Sequence, residues 1–461
     1  MTAPLTSSPV ASASPPPAPP VPAPPSSASR RPLVLRNRAF GAVWLGQVLS
    51  QAAVRMFQVG VSWWLVAHAV PDAAGPASGL FMAVCTLPAV VLAPVVAKAV
   101  ARFPHRAVLR DSAALAGLAA SGLGLWAYGS GLPLPAVYAA ALALAGCQAF
   151  FDPCLTTSVP ELVDDSDIET ATGFELSTQS LAGLGGALLG ALAVDRVGVA
   201  GLAAGCAAAW FGAALLVSAA RFRTAGPASG TPGTPGTSGA SGTYGPDAAG
   251  SGGGPQRRTL RRVLGELPYV RRVLVCFTAA NLFTAAVFVI VPLYTRSVLH
   301  GSGGTVALLE ASLGTGALVG AFTGTRVPGR PATAGACCLA LMALALAVPG
   351  LASALPAVAG CLAVAGWCAG AVSVRFVALF QRLVPADDKP GFFAVMQAVL
   401  GASLPVASLA FGSAGEILSP QTLCLVQGAG LLPAACALAM LGDAPAAEAA
   451  PAATAAAGGA R

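Results

Sequence analysis

The chain has 461 residues, of which 56% are hydrophobic and only 9% charged, with a mean hydropathy of +0.74. An ordinary soluble domain carries about 25% charged residues, so this composition excludes a soluble globular protein and predicts an all-α integral membrane protein whose surroundings are a lipid bilayer. The formal net charge of +7 does not point to nucleic acid, because in such a chain the basic residues matter through their position between apolar segments.

Residues 1–31 are mostly Pro, Ala and Ser with little to bury, which predicts a disordered tail. No basic residue precedes Arg30 and no apolar core precedes Pro32, so the layout of a cleaved signal peptide is missing and the first span is expected to act as its own signal. Apolar runs long enough to span a bilayer then fall near 40–67, 77–97, 111–130, 134–157, 171–194 and 198–220, giving an N-terminal six-helix bundle over 32–220. Residues 221–258 hold 11 Gly and 5 Pro and read as a flexible linker. The charged stretch TLRRVLGELPYVRR (259–272) reads as an interfacial amphipathic helix that opens a second unit, 259–441. Six further runs follow near 273–295, 304–325, 332–351, 354–378, 391–414 and 420–441, and residues 442–461 form a second disordered tail. The predicted fold is twelve transmembrane helices in two pseudo-symmetric six-helix bundles.

Cytoplasmic loops retain Lys and Arg, and most of the 25 basic residues fall in alternate loops of this arrangement. One set of loops holds Arg36 and Arg38, then Lys98, Arg102, Arg106 and Arg110, then the arginines around the linker, then Arg326, Arg330, Arg382 and Lys389. The opposite set holds Arg196 and Arg296. Both termini and the linker are therefore expected in the cytoplasm of a bacterial cell, with the chain crossing the plasma membrane many times. The halves also echo each other: TTSVPELVDDSDIETATGFE after the fourth span and FQRLVPADDKPGFFAVMQ after the tenth each run V-P, an acidic pair, then a new helix. Internal repeats of this kind build secondary transporters, with the substrate between the repeats near the midplane. In the first copy, Ser166 and Glu169 have the spacing of a capping box.

Polar residues inside the spans mark the candidate site. Gln47, Gln51, Arg55, Gln58 and Ser62 recur every three or four residues and fall within a stripe about 80° wide on a helix. A charged side chain at the bilayer centre costs about 2.5–3.5 kcal/mol, so the stripe carrying Arg55 faces a water-filled cavity or the packed interior, not lipid. Gln148, Asp152 and Thr156 make a shorter stripe on the fourth span; Glu175, Thr178 and Gln179 add polar groups to the fifth and Thr278, Asn281 and Thr284 to the seventh. Each of these three sets suits cavity lining or interhelical hydrogen bonding. Gln47, Gln51, Arg55, Gln58, Gln148, Asp152, Asn281 and Arg375 are taken as the substrate cavity. Glu310 on the eighth span and Asp152 are the candidates for moving a proton, and Asp152 is equally a candidate partner for Arg55. Glu310 and Arg375 lie near opposite ends of their spans, too far apart to pair.

Absent patterns narrow the chemistry. No phosphate-binding G-x-x-x-x-G-K-[ST] occurs, which leaves no ATP site in the chain and favours an ion gradient as the energy source. The 11 cysteines sit in apolar segments with no C-x-x-C pair, so they read as small buried hydrophobes, with no metal and no cofactor implied.

The segments LRNRAFGAVWLGQVLSQ, AFFDPCLTTSVPELV, LAGLGGALLG and LFQRLVPADDKPGFFAV carry a resemblance to the major facilitator superfamily, specifically to its bacterial twelve-helix drug and macrolide efflux-type members, across most of residues 33–441. The resemblance implies two bundles rocking around a central cavity, export of a small molecule, and antiport with H+. It also implies a cytoplasmic gate loop after the second span, where Arg102, Arg106 and Asp111 match while Ala97 and Ala101 replace the usual Gly and Asp. The fifth-span antiporter pattern keeps Gly186 and Gly190 with Ala187 in place of its proline, and this Gly-x-x-x-Gly spacing suits close helix packing by itself. Two other readings compete with a transporter. A membrane-embedded prenyl-transferring enzyme would hold Mg²⁺ and a diphosphate with two facing acidic clusters; Asp164, Asp165, Asp167 and Glu169 supply one, but Asp387 and Asp388 are too few for the other. A transporter-like protein that serves a partner and no longer transports is suggested by the altered loop alone.

Overall fold

The computed structural model describes residues 33–129, 131–164, 167–222, 265, 267–326, 330–385 and 388–441. Both predicted tails, the linker beyond Phe222, and Ser166 of the capping box lie outside them, as do the side chains of Glu169, Glu175, Thr178 and Gln179. A single turn, α1 (Leu33–Arg36), leads into α2 (Arg38–Trp64) through Asn37. The Asn37 carboxamide oxygen accepts from the backbone N–H groups of Ala39 and Phe40 at 3.1 Å, and its Nδ2 donates to the Leu162 carbonyl at 2.6 Å. One side chain thus satisfies orphan donors at the start of the first crossing and an orphan acceptor at the end of the fourth.

The second crossing is α3 (Ala74–Val91), extended by the short α4 (Ala93–Arg102); α5 (His105–Gly129) and α6 (Leu134–Leu162) follow. The fifth and sixth crossings form α7 (Ile168–Ala219), whose path turns at Gly198 with φ +69, a left-handed conformation that a residue without Cβ adopts at little cost. In the second half, α8 (Pro268–Ala285) and α9 (Val287–Ser297) share the seventh crossing. Then come α10 (Gly303–Thr323), α11 (Pro331–Ala347), α12 (Leu355–Leu383), α13 (Lys389–Ala414) and α14 (Pro420–Met440). Leu267, Tyr269 and Val270 are buried, so from Pro268 onward the stretch expected to lie on the membrane surface belongs instead to the seventh crossing.

Among the described residues, nine helical stretches are long and apolar enough to cross a membrane. That set takes the two crossings of α7 as one and leaves out α2 and α5, whose arginines and polar side chains lower their hydropathy. With those restored the helices make twelve crossings, and no strand occurs among the described residues.

Packing repeats between the halves. In the first, α2 lies against α7, α5 against α6 and α7, and α3 against α6. In the second, α8 lies against α13 and α14, α11 against α12 and α14, and α10 against α12. The two principal contacts between bundles, α3 with α13 and α7 with α10, are equivalents under the same pairing. Lipid tails are as apolar as the helices, so association depends on close van der Waals contact. Gly186 and Gly190 supply it: a Cβ on either would press into the carbonyls of Ala52 or Met56 on α2. Edge-to-face pairs such as Phe151 with Trp210 and Phe277 with Phe376, at 5.8 and 5.3 Å between centroids, add about 0.5–1.5 kcal/mol each.

Candidate functional site

The polar stripe of α2 divides by depth of burial. At its ends Gln47 is 2% exposed inside the bundle, and Ser62 bonds Ser78 of α3, hydroxyl to hydroxyl at 3.0 Å. Ser62 thus fastens α2 to α3, and Gln47 is buried within the bundle. The middle of the stripe serves two polar groupings. Gln51 donates to Asp152 Oδ1 at 2.8 Å, and Gln148, one turn before Asp152 on α6, donates to the same oxygen at 2.5 Å. One turn further along α2, the Arg55 guanidinium donates to Gln58 Oε1 at 3.1 Å, lies 5.1 Å from the ring centre of Phe288, and stands 3.9 Å from a carboxylate oxygen of Glu310.

The Arg55–Glu310 pair crosses from the first bundle to the second. Glu310 is only 4% exposed while Arg55 keeps 27% of its side-chain surface, so the carboxylate is the buried member and the guanidinium borders open space. Glu310 is thus buried within the molecule, and the ion pair of Arg55, for which Asp152 was the candidate partner, is made with Glu310. Paired charges of this sort offset each other's desolvation, whereas removing one partner typically costs about 3–5 kcal/mol.

Two open cavities flank this polar core. One, of about 180 Å³, is bordered by Val54, Gln58, Ala89, Leu144, Gln148 and Asp152. The other, of about 310 Å³, is bordered by Arg55, Leu184, Phe288, Glu310, Gly314 and Ala317, between α2, α7, α9 and α10. The second reaches the lower bound of ordinary small-molecule sites, about 300 Å³, and the first is smaller. Asn281 takes another role, donating to Ser403 Oγ at 2.6 Å and to the Leu400 carbonyl at 3.2 Å, which fastens α8 to α13. Thr278 and Thr284 bond back to their own helix, as Ser and Thr inside helices commonly do. Arg375 donates to the Gly324 carbonyl at 2.8 Å, at the C-terminal end of α10, where a cation also suits the helix dipole. It is thereby occupied in packing α12 against α10.

One end of the molecule joins the bundles through polar bonds that patterning did not reveal. Asp195 accepts from Trp63 Nε1 at 2.7 Å in its own bundle and from the backbone N–H of Gly303 at 2.6 Å across the interface. In return, Arg296 donates to the carbonyls of Val66, at 2.7 Å, and Ala67. Those carbonyls are presented by a single wider turn, Leu65–Ala69, that ends the first crossing. Beside them Gly79 and Gly412 bring α3 and α13 into backbone contact. At the opposite end, three polar bonds among the described residues are made within a bundle: Arg36 with Asp167, Arg106 with the Ser218 carbonyl, and His105 with Glu161 at 2.7 Å. The chain is therefore latched between its halves at the end carrying Arg296.

With a polar core between two repeated bundles in place, comparison with known proteins decides the family. The profile of the Major Facilitator Superfamily matches residues 43–333, well over half of the chain. The chain belongs to the Major Facilitator Superfamily. No curated protein sequence matches it. Among solved structures it is similar to a bacterial homologue of the human lysosomal transporter Spinster in an inward-facing, unoccupied conformation, with TM-score 0.63, 12% identity, and coverage of 90% of this chain and 97% of that one. It is also similar to a D-xylose–proton symporter (TM-score 0.63, 13% identity, 88% and 97% covered) and to a bacterial homologue of the iron transporter ferroportin in an inward-facing state (0.61, 14%, 88% and 98%).

Residues expected from the superfamily pattern separate in the structure. Arg106 closes the C-terminal end of α7 on Ser218, Asp111 pairs with its exposed neighbour Arg110 at 2.7 Å, and Arg102 is exposed at the end of α4. Asp167, from the acidic run that suggested a Mg²⁺ site, is tied to Arg36, and no cluster suited to a metal occurs among the described residues.

Proposed function

We propose that this superfamily member is a secondary transporter that exports a small drug-like molecule in exchange for H+, by alternating access across a bacterial plasma membrane, with its termini and linker in the cytoplasm. The observation that carries the reading is the Arg55–Glu310 pair, which links the two bundles beside an open cavity. When Glu310 accepts a proton the ion pair is lost, Arg55 keeps its charge, and the electrostatic hold between the bundles weakens. A carboxylate whose charge state alters the link between two moving bodies is the minimum device that exchange against H+ requires. The transmembrane potential adds about 2.3 kcal/mol per charge per 100 mV.

Orientation rests on the distribution of arginines. The latched end carries Arg196 and Arg296, whereas the basic loops gather at the other. On this topology the chain is closed toward the outside, in keeping with its likeness to inward-facing structures. Asp152, Gln58 and Gln148 on the first cavity wall, together with Arg55, are the groups proposed to meet the substrate. No ATP, metal or cofactor enters the cycle. No second reading is favoured: the enzyme alternative relied on an acidic run of which Asp167 is already paired.

The test is energised uptake by inverted membrane vesicles of a panel of fluorescent amphiphiles. Uptake that a protonophore abolishes is expected. Equal uptake with and without the protonophore, or none in vesicles holding the inserted protein, contradicts the reading.

A further inference from the structure

The second crossing and its extension, α3 and α4, present three faces of different character. On one, Gly75 and Gly79 lie against α13, where a Cβ on either would press into the carbonyls of Gly412 or Ser408. On the next, Cys85 and Ala89 border the first cavity, and past the bend at Leu92 Val96 is buried where α4 meets α6. The third face is exposed. Leu80, Leu87, Val91 and Val95 form a row along it, and Lys98 and Arg102, also exposed, continue that row through α4. At 100° per residue these six positions fall within a stripe about 80° wide, turned away from both α13 and the cavity.

Depth gives the row its meaning. With a rise of 1.5 Å per residue, Lys98 and Arg102 lie about 36 and 42 Å along the helical path from Ala74, the first residue of α3. A hydrocarbon core is about 30 Å thick and the headgroup layers extend it to about 40–45 Å. The four apolar members therefore meet acyl chains, and the two cations stand at the level of lipid phosphates. Other charges at this end of the first bundle are engaged: Asp111 with Arg110, Glu161 with His105, and Asp167 with Arg36. Lys98 and Arg102 make no ion pair among the described residues.

We propose that this row binds an anionic phospholipid of the leaflet at that end, with its phosphate held by Lys98 and Arg102 and an acyl chain lying along Val95, Val91 and Leu87. Charge complementarity selects the headgroup, since each basic side chain beside a membrane favours an anionic lipid by about fivefold. The apolar row selects a lipid over a free phosphate, because a phosphate alone gains nothing from Val91 and Val95. Neither argument depends on what the chain carries.

The test uses the purified full-length protein in phosphatidylcholine nanodiscs doped with spin-labelled phosphatidylglycerol or spin-labelled phosphatidylcholine. The protein should immobilise the anionic probe about tenfold more strongly, and Lys98→Gln/Arg102→Gln should lose most of that preference, each single change lowering it by up to about fivefold. Arg382→Gln, at an exposed arginine in the last turn of α12, should leave it intact, and excess soluble glycerol phosphate should not displace the lipid. A phosphatidylglycerol with a photoactivatable acyl chain reads the site without any variant, and should label residues 87–95 more than its phosphatidylcholine counterpart does. Equal immobilisation of the two lipids, a preference kept by the folded double variant, or an equal loss in Arg382→Gln overturns the proposal. So does displacement by glycerol phosphate, or labelling of 87–95 that ignores the headgroup.

Discussion

Arg55 has three neighbours of different kinds: an amide acceptor, an aromatic face and a carboxylate on the opposite bundle. Substitution by Ala removes all three contacts and leaves Glu310 buried without its cation. We therefore expect Arg55→Ala to abolish flux while the protein still inserts, measured by transport in vesicles against surface-labelled protein. Pairing also predicts non-additivity. The double variant Arg55→Ala/Glu310→Gln should melt higher than the sum of the single effects predicts, by a coupling of about 0.5–3 kcal/mol; additive melting temperatures would remove the ion pair from the account. At this scale the sequence located Arg55, because an arginine in mid-span must face polar surroundings, but not its partner. The partner suggested for Arg55 on paper was Asp152, and only the approach of α10 to α2 brings Glu310 beside it. Asn281 shows the same limit, since periodicity gives a face and not what the face meets.

At the scale of helices, glycine spacing explains how α2 and α7 come together. Gly186→Leu and Gly190→Leu should each overpack that contact, at a cost of about 1–3 kcal/mol or more, read as a lower melting temperature and poorer expression. Substitution at the nearby Gly185, which has open space around its Cα, serves as the control and should leave melting unchanged. A leucine tolerated equally at all three positions would contradict the packing role. Most helices were legible from apolar runs of bilayer length, and the fifth and sixth crossings separate at Gly198 where the runs separated. The division of the seventh crossing at Ala286 and the wider turn at Leu65–Ala69 were not, because neither break falls on a glycine or proline.

For the whole molecule, the latch of Asp195 and Arg296 would hold one of the two conformations of the proposed alternating-access cycle. Asp195→Ala leaves Trp63 Nε1 and the Gly303 N–H without their acceptor and should shift the population toward opening at that end. Spin labels at Asp72→Cys and His300→Cys, exposed positions on opposite bundles, would report it as a larger fraction of long distances; an unchanged distribution would contradict the latch. The twelve-helix plan was legible because composition, span length and arginine placement agree. The latch was hidden because Asp195 and Arg296 sit beside short gaps between spans, where charged residues ordinarily face water.

Glu310 is proposed to couple substrate movement to protons. The most direct test follows a pH-sensitive dye in inverted vesicles while an amphiphile of the panel is added, comparing the natural chain with Glu310→Gln. A substrate-induced pH change is expected in the natural chain and none in the variant at equal insertion. An equal pH change in both would contradict it.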